Sequence, residues 1–173
     1  MCKNSIIKSD LIRYGGELTC YLKRFHRLFR KTQSSECKIV KNFYRLLYVL
    51  HCRKHGIEIS SKTQIGKGLY LCHPYCITVN GQSKIGDNVN LHKGVTIGTE
   101  NRGKRKGSPV IGNNVWIGIN ATVVGNITIG DDVLIAPNSF VNCDIPSHSV
   151  VFGNPCVIKP CENATESYII NKA

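Results

Sequence analysis

Every sixth residue from Ile111 to Val141 is aliphatic: Ile111, Ile117, Val123, Ile129, Ile135 and Val141. Four of the positions that follow them, Gly112, Gly118, Gly130 and Ala136, are small. A helix repeats its apolar residues about every 3.6 positions and an isolated strand every second one. A step of six suits short extended segments that meet at regular corners. The aliphatic side chain then points into a narrow core, and the small residue lets the backbone turn beside it. Such periodicity predicts a mainly β chain folded as a parallel β-helix, three six-residue sides making one coil of about 18 residues.

The same step runs through Ile59, Ile65, Leu71 and Ile77, then through Ile85, Leu91 and Ile97. The gap of eight between Ile77 and Ile85 places a two-residue insertion around Asn80-Gly81-Gln82. Between Ile97 and Ile111 the rhythm stops. Residues 98–109 hold three glycines, a proline and four cations, and are predicted to leave the coil as a loop. Solenoid insertions of this kind often sit on the binding face. With the loop removed, Ile59 to Val141 makes about four coils, above the three-repeat minimum. Past Val141 the pattern loosens, and Pro160 marks an exit.

Residues 1–56 carry a helical pattern. Leu18, Leu22, Phe25 and Phe29 fall at helical spacing, among Lys23, Arg24, Arg27 and Arg30. Thr32-Gln33-Ser34-Ser35 offers an N-cap for a second helix, in which Ile39, Phe43, Leu46, Leu47 and Leu50 form the apolar stripe. Lys54-His55-Gly56 is a C-terminal stop. Two readings follow: the helices pack on the solenoid or a partner subunit, or they touch an anionic membrane as a basic amphipathic segment. The organisation expected is thus a helical segment over 1–56, a β-helix domain over 57–160 and a tail over 161–173. An open coil end exposes unpaired backbone. The helices are expected to cover the first end and the tail part of the second. Tyr168, Ile169 and Ile170 in the tail suggest contact with another chain.

At 173 residues the chain is one domain with a short appendage. No apolar run approaches the ~20 residues of a membrane span. Lys3, Lys8, Asp10 and Arg13 interrupt any signal-peptide core. Nine cysteines, an odd number without a C-x-x-C pair, indicate reduced thiols and a cytoplasmic setting. The formal charge of +12 attracts anions of many kinds and selects none.

The repeat accounts for its own aliphatic and glycine residues. Chemistry is therefore sought among residues the repeat does not need: His73, Glu58, Cys72, His92 and the loop. A lone histidine is more often structural than catalytic, so the neighbours of His73 matter. Glu58 lies 15 residues earlier, less than one coil, so the two can approach. A carboxylate on one ring nitrogen fixes the tautomer and raises the basicity of the other. Arg102, Lys104, Arg105 and Lys106 exceed what solubility requires of an exposed loop and suit phosphate or another anion.

Ile65-Gly-Lys-Gly-Leu, Leu71-Cys-His-Pro, Val95-Thr-Ile-Gly, Val115-Trp-Ile-Gly and Gly153-Asn-Pro together resemble the catalytic domain of the serine acetyltransferase group of hexapeptide-repeat acyltransferases. Short members in polysaccharide synthesis are the most similar in plan. The resemblance covers Glu58 to Pro160 and implies a left-handed β-helix, a homotrimer with sites between subunits, and acetyl-CoA as donor. It implies that His73 is the general base on the acceptor hydroxyl and that Glu58 orients it. Gly98, Thr99, Gly118 and Ile119 would line the pantetheine channel, with Ala136 and Pro137 farther along. Three positions depart from the serine enzymes: Cys72 replaces an aspartate, Ser108 a second histidine, and Gly107 the arginine that grips the amino acid carboxylate. Cys72, Arg102, Lys104, Arg105 and Ser108 would then shape an altered acceptor pocket.

The function expected on this basis is O-acetylation of a sugar or polysaccharide-precursor hydroxyl. Imidazoles, which titrate near about 6.5, suit base catalysis at neutral pH. The alternative acceptor is L-serine. A zinc hydratase would need three converging histidines; His73 and His92 are 19 apart, about one coil, but no third lies in the solenoid until His148 near its end, so no metal is expected. A non-catalytic anion-binding scaffold is a further alternative. Few aromatic residues accompany the loop cations, and nucleic acid is not expected as a partner.

Overall fold

The aliphatic ladder closes into the core of a parallel β-helix. The computed structural model describes residues 3–173. Coil one holds β1 (Ile57–Ile59), β2 (Gln64–Ile65) and β3 (Tyr70–Cys72), and coil two β4 (Ile77–Val79), β5 (Lys84–Ile85) and β6 (Asn90–His92). Coil three holds β7 (Thr96–Gly98), β8 (Val110–Ile111) and β9 (Val115–Ile117), and coil four β10 (Thr122–Val124), β11 (Thr128–Ile129) and β12 (Val133–Ile135). Coil five holds β13 (Phe140–Val141), a bridge from Ile145 to Ile129, and β14 (Ser149–Phe152). Corresponding sides stack into sheet 1 (β1-β4-β7-β10-β13), sheet 2 (β2-β5-β8-β11) and sheet 3 (β3-β6-β9-β12-β14). A last strand, β15 (Val157–Pro160), turns back antiparallel on β14 and closes the stack.

All six residues of the ladder from Ile111 to Val141 are at most 2% exposed. The stack has five coils where the sequence spacing suggested about four. In the fifth, Val141 to Ile145 is a step of four, so the period is lost although Ile145 and Val151 stay in the core. Corners between sheets 2 and 3 place Gly68, Asn88, Asn114, Asp132 and His148 at positive φ. Asn and Asp are among the few non-glycine residues that accept this conformation readily. Beside this column the glycines are packed tightly. A Cβ on Gly112 would lie 2.8 Å from the backbone of Gly130.

The two-residue insertion lies elsewhere than expected. Ile57 pairs with Ile77 and Thr78 with Thr96, so coil one is two residues longer than coil two, and the extra pair lies at the corner Cys72–Cys76 and not at 80–82. In coil two only six residues separate Leu91 from Ile97, the partner of Val79. Both Ile77 and Val79 face the core, which is why counting by six from Leu71 stopped at the wrong one.

Three helices precede the solenoid, one more than predicted: α1 (Lys3–Ile12), α2 (Cys20–Ser34) and α3 (Lys38–His55). Leu22, Phe25 and Phe29 of α2 are buried as expected. A polar clamp also fastens the helices to coil one. Arg30 bonds both carboxylate oxygens of Asp10 and the carbonyls of Ile65 and Gly66. Asp10 accepts the Leu69 N–H, and the Tyr14 hydroxyl accepts that of Leu71.

The N-cap of α3 is Cys37, without a side-chain bond, while Gly56 terminates the helix in the left-handed conformation as predicted. The packing face of α3 differs from expectation. Tyr48, His51 and Cys52 are buried, and the Tyr48 hydroxyl donates to the carbonyl of Ile59. Ile39, Phe43, Leu46 and Leu50 of the predicted stripe are exposed; of that stripe Leu47 alone packs on the core. The tail also departs from the reading that sent it to another chain. It runs back along its own solenoid, where Asp132 accepts the N–H groups of Ala164 and Thr165. Near its end, Asn90 donates to the Tyr168 carbonyl and Asn88 accepts the Ala173 N–H. Arg13 bonds Gly68, Asn90 and Ile170, joining helix, coil and tail. The eight described cysteines are free, and Cys2 lies outside the described residues.

Candidate active site

The inserted corner gives His73 its position. His73 is exposed at φ 47°, with Cys76 at φ 57° closing the same turn. Non-glycine residues in this region carry a cost that the surrounding structure must hold, and such residues cluster at functional sites. The Cys76 N–H donates to the carbonyl of Gly56, tying the corner to the start of β1. Glu58 lies on the outward face of β1 and is exposed. Among the described residues no hydrogen bond or ion pair joins it to His73.

The edge between sheets 3 and 1, where His73 lies, carries four of the six channel residues. Gly118 and Ile119 follow β9, and Ala136 and Pro137 follow β12, on successive coils. The Gly118 N–H donates to the Ile135 carbonyl and the Asn138 N–H to that of Ile119. Gly118 has no room for a side chain: a Cβ there would stand 2.7 Å from the Pro137 nitrogen and 2.8 Å from the Trp116 ring. Cys72 begins this corner, in register with His92 on the next coil. Burial raises the Cys72 thiol above its ordinary value, so at neutral pH it is a protonated thiol and a poor nucleophile. His92 packs against Trp116 with centroids 4.5 Å apart and the rings tilted by 54°, and Trp116 meets Tyr168 of the tail at 5.2 Å. Burial, together with the neighbouring His73, pulls the His92 imidazole down to about 4, so it is neutral at physiological pH. His148 is bonded to Asp132 at a corner between sheets 2 and 3, so the three histidines do not converge.

Gly98 and Thr99 lie on a different edge, between sheets 1 and 2, where the loop leaves the coil. The loop is an ordered hairpin: Glu100 and Gly107 pair antiparallel, and the Thr99 hydroxyl donates to the Gly107 carbonyl. Gly107, at φ 139°, would bring a Cβ to 2.9 Å from Asn126, so the loop rests directly on coil four. Ser108 donates to Asn80 on coil two. Arg105 is paired with Glu100 at 3.0 Å, leaving Arg102, Lys104 and Lys106 as the exposed cations. A six-residue side separates neighbouring edges by up to about 20 Å, beyond side-chain reach. A single chain therefore divides the predicted residues between two edges.

Sheet 1 joins these edges, and a cleft of about 720 Å³ opens over it beneath α3. Glu58, Thr78, Asn80 and Gly98 line its floor, and Arg45 and Arg53 of α3 its wall. Neither arginine was singled out from sequence. Their spacing of eight puts them near one flank of α3, but only the packing direction of that helix turns the flank toward the cleft. A larger cleft, about 930 Å³, opens over sheet 2 on the other side of Arg45 but holds none of the candidate site residues named from sequence.

Comparison with known proteins agrees with this architecture. Residues 108–143 match the family described as bacterial transferase hexapeptide (six repeats). A serine acetyltransferase from Helicobacter pylori is 36% identical over 126 residues, covering 64% of this chain and 74% of that protein. The chain belongs to the serine acetyltransferase-like hexapeptide-repeat acyltransferases. A Staphylococcus xylosus serine acetyltransferase is 36% identical over 130 residues, covering 75% of this chain and 57% of that one. Among solved structures, the serine O-acetyltransferase from Brucella melitensis superposes with a TM-score of 0.75 at 27% identity, over 92% of this chain and 68% of that one. As a member of this group the protein is an acyltransferase, and the exposed His73 corner is its candidate catalytic edge. Among the described residues, no helix is long and apolar enough to cross a membrane.

Proposed function

We propose that the protein transfers an acetyl group from acetyl-CoA to the hydroxyl of L-serine. The observation that carries this reading is the cleft over sheet 1, with one carboxylate on its floor and two arginines on its wall. Arg45 and Arg53 suit an acceptor that bears a carboxylate, in the role left open by Gly107. The relatives named serine acetyltransferase favour the same acceptor, and solved structures of serine acetyltransferases in complex with serine and with CoA share the fold.

In this mechanism neutral His73 takes the hydroxyl proton as the oxygen attacks the thioester carbonyl. The C–S bond breaks, and the imidazolium returns the proton to the departing CoA sulfur. Glu58 stabilises the imidazolium while it exists. The raised Cys72 thiol favours direct transfer over an acetyl-cysteine intermediate. The donor's pantetheine runs along Gly118, Ile119, Ala136 and Pro137. Gly98, Thr99 and the loop are supplied by a neighbouring copy, so that the working unit is a homotrimer with sites between chains.

His73→Ala is expected to lower kcat by about 10²–10⁴ while the unfolding midpoint and oligomer size stay unchanged. Near wild-type turnover would refute the assignment. Arg45→Ala and Arg53→Ala are expected to raise KM for serine with little change in KM for acetyl-CoA. A second reading, transfer to a sugar hydroxyl, is favoured by Cys72, Gly107 and Ser108, where the resemblance expects groups that read serine. Thiol release measured with serine and with a panel of glycans separates the two acceptors.

A further inference from the structure

We propose that the outward face of α3 seats the protein on an anionic lipid bilayer. This helix has two apolar faces. Tyr48, His51 and Cys52 are buried against the rest of the chain. On the opposite side Ile39, Phe43, Leu46 and Leu50 are 80%, 57%, 59% and 55% exposed, and Val40 beside them 43%. Their spacing of four, three and four aligns them in one ridge along the helix. A contiguous apolar ridge of this size is uncommon on a surface without a partner.

Charge decides what that partner is. Residues 38–55 contain no acidic residue; of their exposed cations Lys41, Arg45 and Arg53 border the clefts on the solenoid side, and Lys38 and Lys54 do not. Lys54 follows Leu50 by four positions and extends the ridge with a cation. Neighbouring α2 adds exposed Lys23, Arg24, Arg27 and Lys31, again without an acid. Of the exposed carboxylates, Asp131, Asp144, Glu162 and Glu166 lie at the far end of the solenoid, while Glu17, Glu36 and Glu58 lie outside α2 and α3 at the helical end. Pairing this ridge with its own copy would bring together two helices that carry several cations and no acid of their own, with Glu36 before α3 the one carboxylate next to the ridge in sequence. An anionic bilayer complements both features, taking the apolar ridge below its headgroups and the cations among its phosphates. The cleft beneath α3 would then lie near headgroup level. The inference does not depend on which hydroxyl is acetylated.

The test is co-sedimentation of the full chain with vesicles of phosphatidylcholine alone and of phosphatidylcholine mixed with phosphatidylglycerol. Binding to the anionic vesicles is expected to exceed binding to the neutral ones by about tenfold or more, and to weaken as salt screens the cations. Phe43→Ser with Leu46→Ser is expected to abolish that binding while far-UV circular dichroism and oligomer mass are unchanged. Equal binding to both vesicle types overturns the proposal. So does dissociation of the oligomer in the double variant, which would make the ridge a contact between copies.

Discussion

His92 is unlike its neighbours because the corner buries it beside a second imidazole and against the Trp116 ring. Its protonation is displaced from an ordinary value near about 6.5 to about 4. Since the fold disfavours the charged form, the associated stability is complete above about 6.5 and is lost as pH falls toward about 4. Asp10 follows a different course. Burial would raise its carboxyl, but His26 and Arg30 outweigh burial and hold it below 3.8. Its contribution disappears only at still lower pH. Urea unfolding at pH 7, 5 and 3 is therefore expected to lose stability in two stages, and His92→Gln to remove the first. A wild-type stability that is flat from pH 7 to 4.5 would contradict this. Glycines at the corners report on packing in the same way. Gly112→Ala forces a methyl against the Gly130 backbone and is expected to cost about 1–3 kcal/mol by equilibrium unfolding.

At the scale of elements, the β-helix could be read from sequence because one inward residue per side fixes the period. Where two consecutive inward positions are apolar, as at Ile77 and Val79, the same count is ambiguous. That ambiguity hid the two residues that build the His73 corner. Helix α3 was misread for a related reason: both of its faces are apolar, and the stronger pattern belongs to the exposed one. His73 stands out as a candidate because the repeat has no use for a histidine followed by proline. Arg45 and Arg53 were not, since their relevance depends on which face of α3 meets the solenoid. The first helix offered little apolar pattern, being anchored by polar residues. Asp10 shows how much that anchoring contributes. It is fully buried and engages Arg30, which is 4% exposed. Asp10→Ala strands a buried guanidinium and is expected to destabilise the fold by about 3–5 kcal/mol. By contrast, Arg105→Ala removes an exposed pair with Glu100 and is expected to shift stability by less than about 1 kcal/mol.

For the whole molecule, the division of the candidate site between two edges of one prism has a direct functional consequence. His73 and the Gly118–Pro137 column lie on one edge, and Gly98, Thr99 and the loop on the next. If each site takes its base from one chain and its loop edge from a neighbour, two differently damaged chains can restore each other. His73→Ala removes the base, and Thr99→Trp fills the opposing edge with a ring. Each variant alone is expected to be inactive. A trimer site works only when the His73 edge comes from the Thr99→Trp chain and the loop edge from the His73→Ala chain. Random mixing of equal amounts meets both conditions at about a quarter of the sites. Unfolding and refolding the two variants together, or expressing them from one host, should yield about a quarter of wild-type turnover. Refolding each alone should give none. Failure of the mixture to recover activity, with mixed oligomers demonstrated by mass, would place the complete site within a single chain.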